Sequence, residues 1–213
     1  RVNASFPDMG HAAVCDLQAE DATYVPTYQN DPAVEEYFKH ISEERKRRLG
    51  DKARLLGLVG TVFPNMSYLA RQPRSISVWH PRGPHTTEAW RWFLVDKNAP
   101  PEVKEFLRLY YISYSGPGGL TEQDDMENWN YAHNASQGVI ARRHPYNYQM
   151  GMGFDAPPVD TDGLDMPGQI RNVTMAKATE QNQRGFYQRW SEFMNAPDWD
   201  TLATWRNRNG KSH

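Results

Sequence analysis

The most chemically distinctive stretch of the chain is Thr121-Glu-Gln-Asp-Asp-Met-Glu-Asn-Trp129, in which four carboxylates follow a glycine-rich segment. Thr121 with Asp124 three residues later resembles a capping box, and carboxylates in the first turn of a helix interact favourably with the helix dipole. A carboxylate is also a common ligand for metal ions. The pattern therefore leaves two hypotheses, a capped helix start and a metal site.

Helix geometry separates these acids from one another. Consecutive helical residues point about 100° apart, so Asp124 and Asp125 cannot share one environment. Asp125 lies on the same helix face as Asn128 and Trp129, so we expect it to be the acid that faces inward. A carboxylate held beside a large aromatic side chain must be paired or bound to a metal. Asp125 is thus the acid expected either to be paired or to bind a metal.

A mononuclear iron site of the two-histidine, one-carboxylate type also requires two imidazoles. His80 and His85 flank a Pro-Arg-Gly-Pro turn, and His40 lies in a basic helical stretch, so surface or turn positions are expected for these three. His11, in an apolar strand, fits a hydrogen-bonded core residue. The other histidines are His133, His144 and His213. None of the seven histidines is expected to bind a metal together with Asp125, so the chain should not supply all three ligands of such a site.

The elements that position these residues follow from apolar spacing and turn residues. Helices are predicted for residues 32–49, from Pro100-Pro101 onward, for 121–133 and for 179–195. Strands are predicted for residues 10–17, 55–63, 75–79 and 88–95, the last two as an antiparallel pair, and loops for 18–32 and 155–165. Strands followed by helices predict one α+β domain, for which 213 residues suffice.

The composition argues against several classes of function. The net charge of -2 comes from interspersed acids and bases, so nucleic acid is not an expected partner. No apolar run approaches the roughly 18 residues of a membrane helix, and no leader pattern is visible, so the expectation is a soluble, cytoplasmic protein without membrane contact. A single cysteine, Cys15, excludes an internal disulfide and a cysteine-rich metal site. The start at Arg1 suggests an N-terminally truncated domain.

Several runs of residues resemble, in the same order, the large (alpha) subunit of Rieske-type aromatic-ring-hydroxylating dioxygenases of the biphenyl and naphthalene types. The runs are residues 60–69, 78–84, 88–96, 116–129 and 183–190. The resemblance implies a helix-grip (START-like or Bet v1-like) α+β domain, with an antiparallel sheet and flanking helices around a buried iron. Residues 1–213 would be the C-terminal part of the substrate- and iron-binding catalytic domain, with the Rieske domain absent.

The resemblance also implies cofactors and partners. The second aspartate of the Asp-Asp pair, Asp125, would be a ligand of mononuclear Fe(II). Both histidine ligands would lie upstream of this chain, and the Rieske [2Fe–2S] cluster further upstream. Electrons would come from NAD(P)H through a reductase and a ferredoxin. A small (beta) subunit would complete an alpha3beta3 or alpha3 assembly, and the 213-residue fragment alone would be inactive.

The function implied is aromatic hydrocarbon catabolism, in which both atoms of O2 are added to an arene to give a cis-dihydrodiol. The positions that match substrate-binding sites are Gly57, Val59, Leu69, Ser115, Leu120 and Thr121. Three of them are smaller than in many relatives, which favours a roomy pocket and a polycyclic arene. Alternatively, Met66, Tyr68 and Tyr114 fill that space. A non-catalytic START-like module that binds an apolar ligand is the alternative function.

Overall fold

The computed structural model of the protein describes residues 2–19, 30–147, 149–153, 169–172 and 179–202. Within these ranges the α-helices are α1 (Pro32–Leu49), α2 (Pro101–Ser115), α3 (Gln123–Ser136) and α4 (Gln181–Asn195). The strands are β1 (Val2–Phe6), β2 (His11–Leu17), β3 (Leu55–Val62), β4 (Met66–Leu69), β5 (Ser75–Pro81), β6 (Thr87–Phe93) and β7 (Gln169–Asn172). Short 3-10 turns cover Pro7–Met9, Gly50–Arg54 and Ala141–Arg143. No helix of the described chain is long and apolar enough to cross a membrane.

The first of two structural units comprises residues 1–18, 54–68 and 147–213. Its strands lie in the order β4-β3-β2-β1-β7, and β1 pairs antiparallel with β2 and with β7. Helix α4 packs on β1, β2 and the turn between them, with Phe186 and Phe193 against Phe63 at ring-centroid distances of 5.2 and 5.0 Å. Gly10 permits this approach, because its φ is 69° and a Cβ there would lie 2.8 Å from the Arg189 side chain.

Strand β1 is buried on both faces, so its sequence does not show the alternation of apolar and polar residues that predicts a strand. Its polar residues Asn3 and Ser5 are 8% and 3% exposed. Asn3 Nδ2 donates to Thr179 Oγ1 at 3.2 Å, and Gln181 Nε2 donates to Ser5 Oγ at 3.4 Å. The polar face of the strand is therefore satisfied by residues at the start of α4, in keeping with the need of buried polar groups for partners.

The second unit comprises residues 19–53 and 69–146, and its core joins α1 to α2. Val34, Val103 and Leu107 are 0–2% exposed and pack together with Ala99. Helix α1 begins as predicted, because Asp31 Oδ1 accepts hydrogen bonds from the Ala33 and Val34 amides at 3.2 Å each. It ends at Gly50, whose φ of 55° suits glycine.

The aromatic-rich hairpin of this unit is also as predicted. Strands β5 and β6 pair antiparallel, with Trp79 opposite Ala89 and His80 opposite Glu88. The turn between them is closed by the Arg82 amide, which donates to the Thr86 carbonyl at 2.9 Å. The hairpin presents one edge strand, β6, whose Trp90 and Trp92 are 49% and 46% exposed.

The α+β class is confirmed, with antiparallel strands and packed helices in both units. The predicted strands at 10–17, 55–63, 75–79 and 88–95 correspond to β2, β3, β5 and β6, and the helix predictions to α1–α4. Strands β1, β4 and β7 were not predicted. The predicted loop at 155–165 lies outside the described residues, as does most of the loop at 18–32.

Candidate functional site

A glycine-rich turn carries the chain from α2 into the acidic stretch. The Gly119 amide donates to the Gly116 carbonyl at 2.7 Å, and the Leu120 amide donates to the Ser113 carbonyl at 3.0 Å. A Cβ on Gly119 would lie 2.8 Å from the Tyr114 carbonyl oxygen, and a Cβ on Gly116 would clash with the Ile112 carbonyl. Only glycine lets the backbone fold back this closely on the end of α2.

Helix α3 does not begin with the capping box that the sequence suggested. Its N-cap is Glu122, not Thr121, and no side chain caps the helix. The Glu122 carboxylate instead forms an ion pair with the Arg91 guanidinium on β6. The next side chain, Gln123, donates its amide to the Gly116 carbonyl at 2.9 Å. The capping-box prediction is wrong because the helix begins one residue later than a box of Thr121 and Asp124 requires, and neither side chain makes a cap hydrogen bond.

Helix α3 contacts the β5–β6 hairpin at three points along its length. Glu122 pairs with Arg91 at the start. Trp129 then meets Trp79 edge to face, with ring centroids 5.6 Å apart. These contacts recur at the spacing of one helix face, and the third lies one turn further on. One face of α3 is thus directed at the hairpin.

The third contact is between two histidines. His85 Nδ1, in the hairpin turn, lies 3.3 Å from His133 Nε2, which also lies 2.8 Å from Gln137 Nε2. His85 is exposed and His133 is half-buried. His40 and His144 are exposed, and the surface or turn positions expected of His40 and His85 are found, whereas His80 is half-buried in β5. His133 stands on the same helix as Asp125 but eight residues later, about 12 Å along the axis at 1.5 Å per residue.

Asp125 lies in the first turn of α3 and is exposed. The expectation that it faces inward beside Trp129 is not met. Trp129 is itself 55% exposed, and its ring meets Trp79 rather than covering the carboxylate. Counting about 100° per residue, Asp125 points some 60° away from Glu122, so it projects from the flank of the hairpin-facing side. Its carboxylate makes no hydrogen bond or ion pair with any residue that the structure describes.

This carboxylate fits a metal ligand in chemistry and accessibility, but it provides only one of the three protein ligands of a two-histidine, one-carboxylate site. Among the described residues, no group of three or more histidines, cysteines, aspartates or glutamates is arranged to hold a metal ion. Any iron held by Asp125 therefore needs imidazoles other than those that the described ranges bring together.

His11 is a hydrogen-bonded residue of the first unit, as its apolar strand suggested. Its Nδ1 accepts a hydrogen bond from the Phe63 amide at 3.0 Å, 52 residues along the chain. Burial and the nearby positive charge of Arg189 lower the pKa of the imidazole from its ordinary value. The ring therefore acts as a neutral acceptor that ties β2 to the end of β3.

Three predicted substrate-binding residues of the second unit, Ser115, Leu120 and Thr121, lie around the glycine-rich turn. Ser115 is 7% exposed, and its Oγ has no hydrogen-bond partner among the described residues. Leu120 is 88% exposed, Thr121 is exposed, and the Thr121 amide donates to the Tyr114 carbonyl at 3.4 Å. Leu69, at the end of β4, is half-buried. The turn brings Leu120 and Thr121 back beside the end of α2.

The remaining predicted positions lie on β3 in the first unit. Gly57 is half-buried and Val59 is 43% exposed. The Tyr68 ring, on β4, packs directly over Gly60 of β3, where a Cβ would clash with it. Tyr68 thus fills the space beside β3 at Gly60. Burial raises the pKa of its phenol.

A separate cavity of about 600 Å³ lies beside α1 in the second unit. Its lining includes Tyr37, His40, Arg45 and Asp96 and none of the predicted site residues. Tyr37 donates its hydroxyl to Asp96 Oδ2 at 2.9 Å. Burial and this hydrogen bond raise the pKa of Tyr37 to about 12. No sequence pattern predicted this cavity, because its lining comes from α1 and from the distant segment after β6.

Residues 3–196 match the family of ring hydroxylating alpha subunits, over its catalytic domain. The chain belongs to this family. The match covers both units of the structure and includes Asp125 and all the predicted substrate-binding positions.

Relatives of this ring hydroxylating alpha subunit include two aromatic-ring dioxygenases. The biphenyl 2,3-dioxygenase subunit alpha of Rhodococcus jostii (strain RHA1) is 37% identical over 180 residues, which cover 82% of this chain and 37% of that protein. The benzene 1,2-dioxygenase subunit alpha of Pseudomonas putida is 37% identical over 180 residues, covering 82% of this chain and 38% of that protein. The chain therefore spans little more than a third of the length of these relatives.

The fold agrees with that of a solved family structure. Naphthalene 1,2-dioxygenase from Rhodococcus sp., bound to indole, superposes with a TM-score of 0.69 at 27% identity, over 92% of this chain and 46% of that chain. The helix-grip α+β domain implied by the resemblance is thereby confirmed as the fold class of this ring hydroxylating alpha subunit.

Proposed function

We propose that this chain is the C-terminal, substrate- and iron-binding part of the catalytic domain in a dioxygenase large subunit. The reaction adds both atoms of O2 to a polycyclic arene and gives a cis-dihydrodiol. The observation that carries the proposal is the family match over residues 3–196 together with the accessible carboxylate of Asp125 in the acidic first turn of α3. The same match favours this function over a non-catalytic START-like binding module.

Asp125 is the proposed carboxylate ligand of a mononuclear Fe(II), with two histidines supplied by residues outside this chain. When bound, the iron would supply the activation of O2. Within the described residues Asp125 has no competing partner, so its carboxylate remains available to a metal. The glycine-rich turn and the side chains of Glu122 and Gln123 hold the helix start that carries it.

The polycyclic substrate is proposed from the small side chains at pocket positions. Ser115 occupies a buried position where a phenyl ring would need considerably more space. The other proposed substrate-binding positions are Gly57 and Val59 on β3, together with Leu69, Leu120 and Thr121. Largely apolar surroundings orient a flat hydrocarbon by contact area and exclude water from it.

The complete enzyme would need further components. We propose a Rieske [2Fe–2S] cluster in another part of the large subunit, and electrons from NAD(P)H delivered by a reductase and a ferredoxin. A small (beta) subunit and an alpha3beta3 or alpha3 assembly in the cytoplasm complete the proposal. The curated relatives are nearly three times as long as the part that this chain matches, which leaves room for these functions.

The test is a chimera in which residues 3–196 replace the matching segment of the Rhodococcus jostii biphenyl dioxygenase alpha subunit. Asp125→Ala should remove the mononuclear iron and lower diol formation by more than about a hundredfold, since loss of a residue that only supports a metal ligand by a hydrogen bond costs about 10–100-fold. Asp124→Ala is the matched control, because it removes an adjacent exposed carboxylate that points about 100° away. Unchanged iron content and turnover in Asp125→Ala, or equal losses in both variants, would refute the ligand assignment.

The substrate class is tested separately with Ser115→Phe in the same chimera. The added ring should lower kcat/KM for naphthalene relative to benzene by about tenfold or more, within the range of discrimination by pocket shape. Ser113→Phe, the same change at an exposed position two residues earlier on α2, is the control. Equal effects on both substrates would contradict a pocket sized for a polycyclic arene.

A further inference from the structure

We propose that Arg91 is a positioning residue for the reaction: through its ion pair with Glu122 it sets the direction of the first turn of α3, and therefore of the Asp125 carboxylate. Neither residue is among the predicted site residues, and Arg91 lies on a strand of the hairpin rather than on α3. The inference rests on the proposed role of Asp125 as an iron ligand.

The Arg91–Glu122 pair differs from the other ion pairs of the hairpin region in its burial. The two side chains are 15% and 14% exposed. Arg91 is held on its other side as well, because its Nε donates to Ser77 Oγ at 3.1 Å, and Ser77 is 5% exposed. The Arg82–Glu88 pair of the same hairpin has side chains 56% and 44% exposed. Exposed pairs contribute little, whereas a charge held away from water requires its partner.

Helix α3 depends on such side-chain contacts because it has no buried face. None of its residues, all of which the structure describes, is buried. Its N-terminus has no side-chain cap, so the usual local means of fixing a helix start is absent. Glu122 and Gln123 are tied in two different directions, to Arg91 on β6 and to the Gly116 carbonyl in the turn.

The geometry connects this pair to Asp125. Glu122 is the N-cap, and Asp125 follows three residues later, about 4.5 Å along the helix axis. A rotation of the first turn would therefore redirect the Asp125 carboxylate directly. Ligand side chains must stay within about 0.5 Å and 10–20° of the productive geometry, so loosening of this turn should weaken a metal site.

The experiment uses the full-length chimera described above, with Arg91→Met, Arg91→Lys and, as the matched control, Arg82→Met. Three quantities are measured below the unfolding temperature: the Kd for Fe(II), kcat and KM with naphthalene, and hydrogen exchange at the amides of residues 124–127 in iron-free protein. Arg91→Met should weaken Fe(II) binding by about tenfold, the lower end of outer-shell effects on metal sites. The α3 amides should exchange faster and kcat should fall, while KM stays within about twofold.

The controls separate positioning from general stability. Arg91→Lys keeps the positive charge and should recover part of the iron affinity, although it lacks the planar fork of arginine. Arg82→Met should leave iron affinity, exchange at 124–127 and kcat unchanged, since its pair with Glu88 is exposed. If Arg91→Met does not fold, Glu122→Gln replaces it, because this change removes the negative partner and retains the shape of the side chain.

Two results would overturn the inference. The first is a folded Arg91→Met variant with unchanged iron affinity and unchanged exchange at 124–127. The second is a loss in Arg82→Met equal to that in Arg91→Met. Failure of the proposed function gives a different result from failure of this inference, because Asp125→Ala would then retain iron. The exchange measurement in iron-free protein would still report whether Arg91 holds the start of α3.

Discussion

Helices α1 and α3 both begin beside acidic residues, but the carboxylates of those residues make different contacts. At α1, Asp31 accepts hydrogen bonds from the Ala33 and Val34 amides, two and three residues away. At α3, Glu122 makes no cap bond and pairs with Arg91, 31 residues away. The start of α1 is thus stabilised by its own sequence, and the start of α3 by another element of the fold.

This difference has a functional meaning if Asp125 is a metal ligand. A helix with a local cap can form correctly wherever it packs, as expected of an element that builds a core. A helix whose first turn is held by a tertiary ion pair has its direction fixed relative to the partner strand. Contacts from residues that do not touch the metal themselves orient the side chains that do. The uncapped start of α3 is therefore consistent with a site-bearing helix.

The largest effect should come from the core that docks α1. Leu107, 2% exposed, packs against Val34 of α1, so Leu107→Ala should lower the free energy of unfolding by about 2–5 kcal/mol, as measured by urea denaturation followed by circular dichroism. Leu120→Ala is the control, since Leu120 is 88% exposed and its loss should change stability by less than about 0.5 kcal/mol. A loss below about 1 kcal/mol for Leu107→Ala would mean that α1 does not depend on this packing.

A smaller effect should distinguish the two helix starts directly. Asp31→Ala removes the cap of α1 and should lower the free energy of unfolding by about 1 kcal/mol. Thr121→Ala, at the position where the sequence suggested the cap of α3, should have an effect within about 0.5 kcal/mol. Both can be measured in the same denaturation series. Equal losses would show that Thr121 caps α3 in solution and that the contrast between the helices is false.

The contrast also explains how much of the fold could be predicted from the sequence. The bounds of α1 were predictable because Asp31, Pro32 and Gly50 are local signals for a helix start and end. The β5–β6 pair was predictable from alternation around a Pro- and Gly-containing turn. Strand β1 was not, because Asn3 and Ser5 are buried against polar residues near α4 and leave no apolar pattern.

The candidate site, like the fold, could be predicted from the sequence only in part. The acidic stretch could be recognised from the sequence, and the proposal of Asp125 as a ligand comes from the order of motifs. The placement of α3 could not be predicted, because it depends on Arg91, Trp79 and His85 in a hairpin distant along the chain. Helical periodicity placed Asp125 near Trp129, but it could not tell that Trp129 would meet another tryptophan instead.

The smallest effect concerns His11. Its side chain accepts a hydrogen bond from a backbone amide distant along the chain, whereas Asp31 accepts from amides two and three residues away. Its Nδ1 accepts from the Phe63 amide only while that nitrogen is unprotonated, and its pKa is lowered in the folded protein by burial and by Arg189. Between that lowered pKa and the ordinary value of about 6.5, the unfolded chain binds more protons, so stability falls as pH falls through this window and is constant above it.

His11→Asn should remove this part of the pH dependence, measured as the difference in unfolding free energy from the unsubstituted chain between about pH 8 and about pH 5. His40→Asn, at an exposed histidine, should retain it. A wild-type curve that matches that of His11→Asn over this range would mean that the imidazole does not hold β2 to β3 through its neutral form.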